Sequence, residues 1–113
     1  MNTEDKLELL RYLIFIRGKI QHLSMELLVQ GQDTGEVDAR EKKLAVQIDT
    51  LRGQVMDDWS ADAAQVMSDL RALNEQVQTA IRDLRASTDK AEKISRVVQL
   101  LDKGLAEVAR LIA

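Results

Sequence analysis

Leu7-Glu8-Leu9-Leu10-Arg11-Tyr12-Leu13-Ile14-Phe15-Ile16, continued by Gly18, Ile20, Leu23, Met25, Leu27 and Leu28, decides the fold. Within it Leu9, Leu13, Ile16, Ile20, Leu23 and Leu27 recur at alternating steps of four and three. That spacing is the a/d seam of a helix. At roughly 100° per residue, Leu7, Leu10, Ile14, Phe15, Gly18, Met25 and Leu28 fall on the other side. A helix that is apolar on both sides must be covered on both. The rest of the chain supplies one cover. A second surface is expected over the other, which makes those seven residues the candidate interface.

Outward from this stretch the chain repeats single seams. Thr3 suits an N-cap, with Glu4 and Asp5 in the first turn where the helix dipole favours anions. Gly31 suits the left-handed position that ends a helix, and Gly31-Gln32-Asp33-Thr34-Gly35 is the clearest loop. A second helix, capped by Asp33 or Thr34, carries Val37, Leu44, Ile48, Leu51 and Val55. Gly53 inside it weakens the helix by about 1 kcal/mol relative to Ala. Met56-Asp57-Asp58-Trp59-Ser60-Ala61-Asp62 reads as a tight turn, with Trp59 packing over the end of the core. The third seam is Val66, Leu70, Leu73, Val77, Ala80 and Leu84; the fourth is Ile94, Val98, Leu101, Leu105, Val108 and Ile112. Asp89-x-x-Glu92 between them reads as a capping box.

These segments, about 4–30, 36–57, 61–86 and 89–112, are each roughly 33 to 41 Å long as helices. Matched lengths and short loops predict one domain over residues 1–113. Its expected form is an all-α, antiparallel up-down four-helix bundle with coiled-coil-like packing. The alternative is a helical hairpin with one long C-terminal helix, because the heptad phase runs through Ser87 and Ala91 without a slip. Such a hairpin would need a partner chain and would be oligomeric.

Composition removes several functions. A net charge of −3 speaks against general nucleic-acid binding, whose affinity rests on neutralising phosphates. The longest apolar run, Tyr12 to Ile16, is far below the ~20 residues of a membrane span. The chain has no cysteine, which suits a reducing compartment and points to the cytoplasm. One histidine cannot furnish a zinc or di-iron site, and there is no Gly-rich phosphate loop. No cofactor or metal is therefore expected. Arg82, Arg85, Lys90, Lys93 and Arg96 cluster locally but are interleaved with Asp83, Asp89 and Glu92, as on a salt-bridged helix surface.

The expected function is that of a non-enzymatic helical interaction module, self-associating as a homodimer or bound to another helical protein. An adaptor, a small chaperone or a regulatory subunit would fit. The alternative is a small helical enzyme or a phosphotransfer protein using His22. A four-helix chain of this size with one exposed histidine resembles histidine phosphotransfer domains in outline. Met25 and Glu26, however, stand where that family's motif carries lysine and glycine. The groups that would stabilise a phosphoryl group are thus absent from those positions.

Overall fold

Gly31 is where the first helix stops. Its φ is +76°, in the left-handed region, where an L side chain would cost roughly 1–2 kcal/mol. The Gln32 N–H donates to the Leu27 carbonyl at 2.9 Å and the Gly31 N–H to the Leu28 carbonyl at 3.0 Å. This pair of bonds satisfies two of the carbonyls that a helix end leaves open. Across the loop, Asp33 Oδ1 accepts the Gly35 N–H at 2.8 Å. Thr34 takes the N-cap position, but its hydroxyl donates to Asp38 Oδ2 and makes no side-chain bond to the backbone.

The computed structural model describes residues 3–54 and 63–112. Four helices fill them: α1 (Thr3–Val29), α2 (Gly35–Gly53), α3 (Ala63–Ala86) and α4 (Lys90–Ala109). α2 ends at Gly53, ahead of the expected Asp57, and Gln54 leaves it in extended backbone. Among the described residues, no other part of the bundle comes within 4 Å of where a Gly53 Cβ would sit. The low helix propensity of this glycine weakens the last turn of α2. The expected turn around Trp59, and Val55 of the second seam, lie outside the described residues.

α3 and α4 are separate helices, and residues 87–89 make the break. Asp89 Oδ1 accepts the Glu92 N–H at 3.3 Å, as the capping box requires. Its reciprocal half comes from a different residue: Ser87 Oγ accepts the Asp89 N–H at 3.0 Å. Lys90 Nζ reaches back to the carbonyls of Leu84 at 2.7 Å and Arg85 at 3.3 Å, closing the end of α3. The continuous heptad phase does not survive these caps, and the long-helix hairpin is not the fold.

The helices form an all-α four-helix bundle whose directions alternate along the chain. Polar pairs across the seams fix the arrangement. Arg17 bonds Glu41 and Ser24 bonds Asp38, so α1 and α2 run antiparallel. Glu8 pairs with Arg71 and Glu26 with Arg85, so α1 and α3 run parallel. Arg110 pairs with Asp69, setting α3 and α4 antiparallel, and Arg40 of α2 holds Asp102 of α4 at 2.9 Å. α1 thus packs on α2 and α3, and α4 packs on α3 and α2. The molecule is two antiparallel hairpins laid side by side.

Each helix meets two neighbours, so the buried arc is wider than one a/d seam. α4 shows this best. Val97, Leu100 and Leu111 are among the most buried side chains, although the sequence seam named Val98, Leu101 and Val108. Both sets are buried, so the arc that packs is wider than the seam, and it continues to Leu111 just past the helix end.

Candidate functional site

The inner seam of α1 packs as its spacing requires: Leu9, Leu13, Ile20, Leu23 and Leu27 are buried, and Ile16 is half-buried against them. The outer side is not covered. Leu7, Ile14, Phe15, Met25 and Leu28 keep between 41% and 67% of their surface exposed, and Gly18 is exposed among them. Val29 at the end of the helix is more exposed still. Among the described residues, nothing in the bundle covers this strip of α1.

Leu10 is a correction. It was expected on the outer side, but it is buried in the core. On the helical wheel it sits about 60° round from Leu7, on the same flank as Arg17 and Ser24, which reach α2 through Glu41 and Asp38. A two-sided reading of the wheel had no place for such a shoulder, because it had assigned no neighbour there.

Without Leu10, the outer strip has its own regular spacing. Leu7, Arg11, Ile14, Gly18, Gln21, Met25 and Leu28 follow one another at steps of four and three. That is a second heptad seam, with small Gly18 at its middle. A Cβ added at Gly18 would meet nothing within 4 Å. Nothing inside the monomer therefore accounts for a glycine in mid-helix, where it costs about 1 kcal/mol relative to Ala.

Polar ties border the strip. On the α2 flank, Asp38 accepts bonds from the Ser24 and Thr34 hydroxyls, which hold its carboxyl below the usual range. On the α3 flank, Arg85 donates to both oxygens of Glu26 at 2.8 and 3.1 Å and holds that carboxyl below its ordinary value. Tyr12 stacks on Phe15 at 6.4 Å between ring centres and lies under Arg71. Lys19 Nζ stands 5.0 Å from the centre of the Phe15 ring.

His22 lies at the edge of the strip. Its Nε2 is 2.9 Å from Glu26 Oε1, and 72% of its side chain is exposed. It lines a shallow groove of about 360 Å3 between α1 and α3 with Ile14, Phe15, Gly18, Lys19 and Arg85. The basic cluster noted in the sequence is divided between jobs: Arg85 clamps α1 through Glu26, and Lys90 closes α3.

Among the described residues, no cluster of His, Asp or Glu is arranged to hold a metal, and no helix is long and apolar enough to cross a membrane. No family model, curated protein or solved structure matches the chain.

Proposed function

We propose that this chain is a non-enzymatic helical interaction module that self-associates through the outer strip of α1. The observation that carries the reading is the second heptad seam, left open by the bundle and centred on a glycine that the monomer does not need. A glycine at the middle of an apolar helical strip lets another helix approach closely. An antiparallel two-fold contact centred on Gly18 sets Leu7 opposite Leu28, Arg11 opposite Met25 and Ile14 opposite Gln21. One surface then covers itself, the simplest closed arrangement.

Size bounds the strength of the contact. A helix of 27 residues is about 40 Å long and a strip of it about 10 Å wide. That is roughly 400 Å2 a side, half of the ~800 Å2 in a standard interface. The dimer is accordingly concentration-dependent, as suits an adaptor, a small chaperone or a regulatory subunit. The lack of cysteine is compatible with work in the cytoplasm.

Sedimentation velocity over a concentration series tests the reading. The expected result is a monomer–dimer shift, abolished by Ile14→Glu with Phe15→Glu while helical circular dichroism is kept. A chain that stays monomeric at high micromolar concentration overturns self-association.

A further inference from the structure

A second apolar space lies inside the bundle, behind the outer strip. It runs along the bundle axis between all four helices, lined by Leu13 and Leu23 of α1, Leu70 and Ile81 of α3, and Val97 and Val108 of α4. About 60 Å3 of it can be reached by the centre of a water molecule, several times the ~10–15 Å3 that one buried water needs. From Leu70 to Ile81 the lining extends about 16 Å along α3. Most of this lining is aliphatic, so the space favours an apolar guest.

Two of the slot's polar residues, Arg40 and Asn74, are engaged by Asp102 and Tyr12, which leaves Lys19 and Gln78. Lys19, Leu23, Gln78 and Ile81 line both the slot and the shallow groove between α1 and α3. The groove thus adjoins the Ile81 end of the slot, where a mouth would open. The mouth is cationic: Lys19 and Arg85 border it, with His22 beside them and Glu26 turned onto Arg85. α1 and α3 form the loosest of the four packed helix pairs. Their charged ties are Glu8–Arg71 and Glu26–Arg85, and a hydrogen bond between Tyr12 and Asn74 joins the two helices between them.

Gly104 is an independent sign. It sits in mid-α4 on the slot wall, and a Cβ there would be 3.9 Å from Leu70, an ordinary contact. Packing does not demand glycine at that position. A larger side chain would occupy the slot, and glycine keeps it open.

We infer that the bundle binds a medium-chain carboxylate. The saturated chain lies along the slot toward Leu70 and Val108, and the carboxylate sits in the mouth beside Lys19. A tetrahedral carbon chain with bonds of ~1.5 Å advances about 1.3 Å per bond. The slot's length of about 16 Å therefore fits roughly ten to twelve carbons. The head keeps its contact with water at the groove, and only the tail leaves it.

The test is a titration of the full chain with sodium decanoate below its micelle concentration, followed by methyl NMR and calorimetry. The expected result is a saturable one-to-one isotherm with shifts at Val77, Val97 and Leu100. Gly104→Met fills the slot with a good helix former and should weaken binding at least tenfold, while Gly104→Ala should leave it nearly unchanged. Lys19→Gln should weaken decanoate about threefold, as for an exposed ion pair, and leave decanol unchanged. The inference is overturned by non-saturating shifts, by shifts confined to Ile14, Phe15 and Met25, or by a folded Gly104→Met that binds as the unaltered chain does. Decanoate binding that is indifferent to Lys19→Gln overturns the placement of the head.

Discussion

α1 and α4 answer the same demand in different ways. Both meet two neighbours and bury a wide apolar arc against them. α4 leaves Glu92, Arg96, Gln99, Asp102 and Lys103 exposed, and its large apolar residues stay on the core side. α1 buries as much and then exposes Leu7, Ile14, Phe15, Met25 and Leu28 on its far side. Holding the bundle together requires only what α4 does. The outer strip of α1 is therefore surplus to folding, and large exposed apolar patches are where proteins meet partners.

The largest effect separates the two sides of α1. Leu13 is 1% exposed, and Leu13→Ala should cost about 2–5 kcal/mol in denaturant unfolding. Met25→Ala, on the outer strip, should change monomer stability by less than ~0.5 kcal/mol. A comparable loss at both positions would break the comparison with α4. Gly18→Ala sharpens it further. The new methyl meets nothing in the monomer, so thermal unfolding should rise by the equivalent of about 1 kcal/mol. In sedimentation the same variant should dimerise less well, because two backbones can no longer come as close. Stabilisation without loss of dimer would remove Gly18 from the contact.

Acid tests the ties that border the strip. The folded Asp38 carboxyl is held below its ordinary value by the Ser24 and Thr34 hydroxyls, so the unfolded chain takes up its proton first. The stability it contributes is present above the unfolded value of about 3.9 and is lost as pH falls through the lower folded one. Melting temperature should drop on acidification from about pH 5 to pH 3, and Asp38→Asn should flatten that fall. An unchanged acid slope in the variant would show that Asp38 does not tie α1 to α2. The smallest effect belongs to His22. With most of its side chain in water, His22→Ala should alter stability by less than about 0.5 kcal/mol. Phosphate retained on His22 after exposure to a phosphodonor kinase would favour the phosphotransfer alternative instead.

Local signals were the most legible in the sequence. Gly31 ends α1 in the left-handed region, Asp33 accepts the first N–H of α2, and Asp89 caps α4 through the Glu92 N–H, whereas Thr34 holds the N-cap position without a side-chain cap bond. The strip on α1 could also be read, apart from Leu10. What escaped depends on which helix lies beside which. Val97, Leu100 and Leu111 belong to an arc set by two neighbours at once, and one helix's periodicity does not encode the neighbour's direction. The same is true of Arg40. Glu36 lies four residues before it, at the spacing of a pair within the helix, yet its guanidinium holds Asp102 across the bundle and touches only the Glu36 carbonyl. The slot wall at Gly104 gave no local sign either, since a mid-helix glycine is ambiguous until its neighbours are in place.

The parallel pairing of α1 with α3 also decides where the chain can be opened. Glu8 lies beside Arg71, and Asp69 beside Arg110, so the start of α1, the start of α3 and the end of α4 share one pole of the bundle. The two hairpin turns, at 30–34 and 87–89, occupy the opposite pole. A single cut between Gln54 and Ala63 would therefore yield two hairpins, each with its own turn intact. The bundle is laid out as a natural two-piece complementation system. Reporters fused to the new ends or to the old ones would all project from the same pole and leave the turn pole free.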